Sequence, residues 1–276
     1  MDFWKLFSHC VPLIGVVHLR PLPGSPRWAG DWDAVEDAAR ADAAGLLDAG
    51  ADGVIVENFG DAPFHADAVR PVTVAAMTAL TRAVREVVGG DLPVGVNVLR
   101  NDADAALAVA TVAGADFIRV NVHSGAMVTD QGVVEGQAAG TLRERSRLGS
   151  RVLIFADVNV KHATPLGAGV AIEDLAEETY ERGLADALIV TGTGTGKTTS
   201  REDITRVRAA VPDAPVLVGS GVTDRDVRDV LTLADGVIAG TALKEGGVVT
   251  NAVDAARATR FFGACSRDER KPRTRG

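Results

Sequence analysis

The sequence predicts an α/β chain folded as a single (β/α)8 barrel, on three observations. Short β-branched runs alternate with helical patterns eight times. The chain has 276 residues, close to the size of such a barrel, about 250 residues. A two-unit repeat also runs through it. Ala-Asp introduces four of the runs, in GADG at 50–53, GADF at 114–117, LADA at 184–187 and LADG at 233–236. Three of the others begin just after a proline: Pro12, Pro93 and Pro215. A pair of units used four times closes into an eightfold barrel and has no meaning in an open sheet with a reversal point.

The runs are PLIGVVHL (12–19), DGVIVEN (52–58), LPVGVNVL (92–99), DFIRVNV (116–122), RVLIFADV (151–158), DALIVTG (186–192), APVLVGSG (214–221) and DGVIAGT (235–241). Each is short and bounded by Gly, Pro or Asp, as a strand buried in a parallel sheet should be. Helical patterns cover 33–49, 72–88, 102–113, 172–182, 201–210 and 223–231. Several open on a cap residue, such as Asp33, Ser200 or Thr223, with acids in the first turn. A last helix covers 253–262. The barrel domain therefore spans 1–263. Residues 264–276 are charged and lack core residues, so they read as a disordered tail.

Composition excludes several function classes. Lys+Arg is 29 against Asp+Glu 37, a net charge of -8, which is the wrong sign for a nucleic-acid footprint. Cys10 and Cys265 sit near opposite ends with no Cys/His spacing, against a structural zinc site or a disulfide framework. No apolar stretch approaches the ~20 residues that span a bilayer. The first residues, MDFWKLFSHCVPLIGVVHL, lack a basic leader and a small-residue cleavage site. A soluble, cytoplasmic protein is the expectation, with a homo-oligomer left open.

Barrel active sites lie at the C-terminal ends of the strands, and the strand period of two says which side chains share a face. Ile14, Val16 and His18 share one in the first run, Ile55 and Glu57 in the second, and Gly95, Asn97 and Leu99 in the third. Arg119 and Asn121 share one in the fourth, opposite Ile118, Val120 and Val122. In the fifth, Leu153, Phe155, Asp157, Asn159 and Lys161 align. Five strands thus deliver His18, Glu57, Asn97, Arg119, Asn121, Asp157, Asn159 and Lys161 to one rim. Packing alone has no use for such a set, because buried charges are costly unless paired.

Singly, each has a plainer reading. His18 fits a structural histidine, and Glu57 with Lys161 fits a buried ion pair. Asp102 reads as a helix cap. Asp130, in the fourth loop, reads as a cap or a substrate contact. Asn58, Arg100 and Thr191, just past three strand ends, are further contact candidates. His162 should point away from Lys161, and His9 and His65 read as surface residues.

The last loops carry a second signal. Gly219, Ser220 and Gly221 follow the seventh run, and Gly240 and Thr241 follow the eighth. Barrels often bind phosphate there through backbone N–H groups, which glycine lets approach closely. The loop TGTGTGKTT (191–199) looks like a nucleotide P-loop, but Gly-x4-Gly-Lys-Ser/Thr needs glycine at 191, which is Thr191. Gly192, Thr193 and Gly194 instead read as a third wall of one phosphate pocket. Lys197 is then a rim charge or plain surface.

The segments HLRPLPGSPRW (18–28), GVIVENFGDAPF (53–64), VNVLRND (96–102), FIRVNVHSGAMVTDQG (117–132), ADVNVKHA (156–163), IVTGTGTG (189–196) and VLVGSGVT (216–223) together resemble the BtpA family. That family, with its SgcQ-like members, is named for a protein needed for photosystem I biogenesis. The resemblance implies a TIM barrel but hands over no reaction and no catalytic residues. Members occur outside phototrophs, so a photosystem role does not follow from it.

The expected function is an enzyme acting on a small phosphorylated metabolite by isomerase, epimerase or aldolase-like acid–base chemistry. Glu57, Asp157 and Lys161 would move protons, or Lys161 would form a Schiff base with a carbonyl. His18, Asn97 and Asn121 would orient the substrate. No cofactor is assigned, and a divalent metal on Glu57, Asp157 and His18 stays open. The alternatives are a non-catalytic photosystem assembly factor and a nucleotide hydrolase using residues 191–198.

Overall fold

A computed structural model describes residues 2–160, 163–167, 169–192 and 199–272. Eight parallel strands close into one barrel. They are β1 (Leu13–His18), β2 (Gly53–Glu57), β3 (Val94–Asn97), β4 (Phe117–Val120), β5 (Leu153–Asn159), β6 (Ala187–Val190), β7 (Val216–Val218) and β8 (Val237–Ala239). Each pairs with the next in chain order, and β8 pairs with β1. The predicted (β/α)8 barrel is the observed fold, and every strand falls inside a run read from the sequence except that β5 extends one residue further, to Asn159.

Alternation divides the apolar residues into two layers. Val54, Val56, Val94, Val96, Ile118 and Val120 point outward and pack under the helices. Ile14, Ile55, Phe117, Phe155, Ile189 and Leu217 point inward and fill the barrel. Phe117 and Phe155 stack with ring centroids 4.4 Å apart. Gly95 is what makes room for them, since a β-carbon there would sit 2.2 Å from the Phe117 ring. The short helix Phe3–Leu6 closes the end where the strands begin. Phe3 lies 5.5 Å from the Phe155 ring, and Phe7 lies 6.3 Å from Phe117.

The Ala-Asp repeat has a structural cause. Asp52, Asp116, Asp186 and Asp235 each precede an even-numbered strand. Each carboxylate accepts an N–H at the start of the odd-numbered strand beside it, from Leu13 at 2.9 Å, Val94 at 2.9 Å, Ile154 at 2.8 Å and Val216 at 3.1 Å. Each also pairs with an arginine: Arg85, Arg145 and Arg208 come from the helix preceding the odd strand, and Arg270, the partner of Asp52, from the C-terminal segment. The terminal N–H of a strand is a donor that burial must satisfy. The same solution occurs four times around the barrel.

That ring corrects the reading of the tail. Residues 264–272 are not a loose extension: Cys265 and Arg270 are buried, and Ser266 and Glu269 form a capping box. Arg270 supplies the fourth arginine, donating to Asp52 and to the Val11 carbonyl. Its lack of apolar residues misled the composition argument, because the segment docks through a charge.

Seven helices largely follow their patterns: Trp32–Asp48, Pro71–Val88, Ala103–Ala113, Ile172–Glu177, Arg201–Ala210, Val227–Leu231 and Ala255–Gly263, while Ala138–Arg147 falls where no helix was predicted. Ser200 and Asp102 cap as expected, accepting from Asp203 and Ala105. Asp31 rather than Asp33 caps the first long helix. Thr223 lies in a turn before its helix, bonded to Asp226. The fourth loop makes a hairpin, Ala126–Thr129 with Gly132–Glu135, and Ala163–Pro165 of the fifth loop pairs with its first strand. Nothing in the sequence reading anticipated this small sheet. Among the described residues no helix is long and apolar enough to cross a membrane.

Candidate active site

The inward face turns polar two residues past the apolar layer. His18 follows Val16, Glu57 follows Ile55, Arg119 follows Phe117 and Asp157 follows Phe155, while Asn97 follows Gly95. Arg119 is 3% exposed and donates to Asp157 as a fork, Nε to Oδ1 at 3.0 Å and Nη2 to Oδ2 at 3.0 Å. The Asn121 amide adds a bond to Oδ2 at 2.8 Å. Charge-assisted paired bonds of this kind fix both orientation and charge. Beside them Asn97 donates to Glu57 Oε2 at 2.7 Å, and His18 Nε2 lies 3.7 Å from Glu57 Oε1.

Burial opposes the charge on Arg119, but the charge and hydrogen bonds of Asp157, with the nearby charge of Glu57, outweigh it. The guanidinium pKa is raised above its ordinary value. Arg119 is therefore a fixed cation between two carboxylates, Asp157 clamped to it and Glu57 held by Asn97 beside His18.

These strand ends open into a cavity of about 200 Å³. His18, Glu57 and Arg119 line it together with residues 219–223 of the seventh loop and 239–242 of the eighth, while Gly247 and Arg257 complete the rim. Two glycines are there for space. A β-carbon on Gly240 would lie 2.7 Å from His18 Cε1, and one on Gly219 would lie 2.5 Å from Ile189 and 3.3 Å from Arg119 Nη2. Gly221 has φ +74°, in the left-handed region that favours glycine. Gly192 N–H donates to Ser220 Oγ at 2.9 Å, and Thr199 donates to the Ser220 carbonyl at 3.1 Å. Ser220 thus ties the sixth loop to the seventh.

The structure brings together His18, Glu57, Arg119, Gly219, Ser220, Gly221, Gly240 and Thr241 around one cavity. Asn97, Asn121 and Asp157 stand behind them as the residues that hold Glu57 and Arg119. Other candidates fall away from the cavity. Asn58 accepts from Leu99 N–H at 2.7 Å and donates to Asp61, so it ties the second loop to the third. Arg100 is buried in the third loop, where its N–H meets the His65 carbonyl. Asp130 is at the hairpin turn, bonded to Gln131. Thr191 donates to the Asn159 carbonyl at 2.7 Å. Asn159 sits at a register shift of β5, which breaks the simple alternation after Asp157. Lys161, His162, Thr193, Gly194 and Lys197 lie outside the described residues.

Among the described residues no three His, Cys, Asp or Glu side chains converge as metal ligands. The set Glu57, Asp157 and His18 does not assemble as one, because both oxygens of Asp157 are engaged by Arg119 and Asn121.

Sequence reasoning missed Arg257, which lines the cavity from the last helix and donates to the Ala242 carbonyl at 3.0 Å. Its signal was its place in the first turn of the helix that follows the eighth loop. His123 was also missed. It is 1% exposed and bonds the Gly183 carbonyl through Nε2 at 2.8 Å.

Comparison with known proteins bears on the family and the fold. The chain is 46% identical over 264 residues to the photosystem I biogenesis protein BtpA of Synechocystis, covering 96% of this chain and 91% of that one. It is 47% identical over 247 residues to an uncharacterized protein of Pyrococcus furiosus, covering 90% and 92%. A mitochondrial protein of Caenorhabditis elegans is 34% identical over 264 residues, covering 94% of each chain. Among solved structures, thiamine phosphate pyrophosphorylase from Pyrococcus furiosus aligns with TM-score 0.56 at 14% identity, covering 93% of this chain and 96% of that one. Phosphoribosyl anthranilate isomerase from Thermus thermophilus aligns with TM-score 0.56 at 14% identity, covering 92% and 97%. At such identity these two share the fold alone. The BtpA family matches residues 9–267, nearly the whole chain, and the protein belongs to the BtpA family.

Proposed function

We propose that this protein is an enzyme acting on a small phosphorylated metabolite. One observation carries the reading. A single cavity is lined both by the glycine-rich turns after β7 and β8 and by the charged strand ends His18, Glu57 and Arg119. The phosphate would sit against the N–H groups of residues 220–221 and 240–241, with Gly192 alongside. The reacting carbons would then lie over Glu57 and His18, a carboxylate and an imidazole suited to taking and returning a proton. Arg119 would stabilise negative charge developing on an adjacent oxygen. Lys161, two residues beyond Asn159, would supply a second proton carrier or an amine nucleophile.

Two further points support it. The names of the two solved structures above contain a thiamine phosphate and a phosphoribosyl group. Relatives about as similar as the Synechocystis protein occur in Pyrococcus and Methanocaldococcus, so membership of the family does not by itself imply a photosystem role. The rival reading, a biogenesis factor without catalysis, draws on the name of that one relative. It leaves the charged interior without a task.

Thermal-shift screening of phosphorylated metabolites against their unphosphorylated counterparts tests the proposal. A bound ligand at 100 times its Kd stabilises a protein by about 2.7 kcal/mol, an easily measured rise in Tm. Stabilisation by a phosphate ester but not by its parent alcohol supports it. No stabilisation by any phosphate ester or by inorganic phosphate overturns it.

A further inference from the structure

Beside the cavity runs an open groove of about 400 Å³, lined by Arg225, Arg257 and Arg260 with Asp224 and Phe261. Cavity and groove share Thr223, Ala242 and Arg257, so they meet at the outer edge of the glycine turns. The chain as a whole carries a charge of -8, yet this groove holds three arginines against one aspartate. Arg260 stands 3.7 Å from Asp224. Among the described residues neither Arg225 nor Arg257 has a carboxylate within ion-pair distance. The Arg257 position is built: Nε donates to the Ala242 carbonyl, and Gly247, at φ +69°, brings its turn against the guanidinium.

From this arrangement we infer that the ligand is a diphosphate ester rather than a monophosphate. This rests on the phosphate reading given above. The inner phosphoryl group would occupy the turns at 219–221 and 240–241. Its organic part would point inward to His18 and Glu57, where the proton-transfer groups are. The terminal phosphoryl group then points outward into the groove, where the charged lining is three arginines and one carboxylate. Arg257 stands between the two and bridges them. Phe261 is buried, so the groove offers no exposed ring on which a base could stack. That favours a terminal phosphoryl group over a nucleoside beyond the second phosphorus. Guanidinium groups bind such oxygens through short, charge-assisted bonds.

Calorimetric titration of the full-length protein with orthophosphate, pyrophosphate and methylenediphosphonate tests this. Two charge-assisted bonds to the second phosphoryl group should tighten binding at least about tenfold over orthophosphate. In the exposed-residue variant Arg225→Ala/Arg260→Ala, that preference should shrink to within about threefold while the orthophosphate Kd stays unchanged. Arg257→Lys, which keeps the charge but loses the fork, should weaken both ligands. Equal affinities in the unsubstituted protein, or a preference that survives the double substitution, would overturn the diphosphate assignment and leave the phosphate site standing. Failure of all three probes to bind would sink both.

Discussion

Arg270, in the charged C-terminal segment, donates to the carboxylate of Asp52, which in turn accepts the N–H of Leu13 at the start of β1. Their side chains are each 4% exposed, the most buried of the four equivalent pairs around the barrel. The pair joins the last described turn to the first strand and completes a ring that the other three units form within their own helices.

Removing one partner of a buried pair strands the other charge. Truncation after residue 263, which removes Arg270 and also Arg267, 3.3 Å from the same carboxylate, should therefore destabilise the protein by about 3–5 kcal/mol, and Arg270→Ala, which leaves Arg267 in place, by less. Arg145→Ala breaks the corresponding pair with Asp186, whose side chains are 23% and 28% exposed, and should cost about 1–2 kcal/mol. Urea denaturation of the truncated chain and of Arg145→Ala measures the difference. Equal midpoints would mean that the tail does not close the ring.

Gly240→Ala places a β-carbon 2.7 Å from His18 Cε1. The imidazole must turn away from Glu57 or the eighth loop must shift. Overpacking of this kind costs about 1–3 kcal/mol. Binding of phosphate esters should weaken at least about tenfold, read by the same thermal-shift titration. Unchanged binding would remove His18 from the site.

Glu57→Gln keeps the shape of the side chain and can still accept the bond from Asn97. Stability should change by less than about 1 kcal/mol, while turnover of whichever phosphorylated substrate is found falls by at least about a hundredfold. Asp157→Ala should behave otherwise. It strands Arg119 at 3% exposure, so loss of fold stability, by about 3–5 kcal/mol, should accompany loss of activity. Activity retained in Glu57→Gln would assign the proton transfer elsewhere.

His123 makes stability depend on pH. Burial pushes its imidazole below the ordinary value of 6.5, and although the Gly183 carbonyl favours the proton, burial prevails. Above pH 6.5 the ring is neutral whether folded or unfolded, and nothing is lost. As pH falls through 6.5 the unfolded chain takes up a proton that the folded chain does not, so stability declines until the lower folded value is passed. The Tm should fall between pH 7 and pH 5, and His123→Gln, which can still donate to Gly183, should flatten that slope. A slope unchanged by the substitution would place its origin in another group.

Much of this was legible from the chain alone. Alternation named His18, Glu57, Asn97, Arg119 and Asp157 as inward-facing, because a pleated strand leaves each side chain only two directions. The same alternation ceased to hold at Asn159, where β5 shifts register, and local pattern carries no trace of that shift. Asn58 and Asp130 look as polar as the site residues. Their amide and carboxylate are taken up by the loops themselves, which only the folded loops reveal.

The sequence by itself determined the eightfold barrel, its inward polar rim and its two glycine turns, since strand period, repeat and turn chemistry are local properties of the chain. Tertiary structure decided which charges meet. Arg119 and Asp157 are 38 positions apart, and Arg270 and Asp52 are 218 apart. Both pairs depend on how the sheet staggers as it closes. It also brought Arg257 from the last helix to the cavity and set Asp157 against Arg119 rather than toward a metal. A closed barrel brings distant residues to one rim through its stagger, which is a property of the whole sheet and of no single segment.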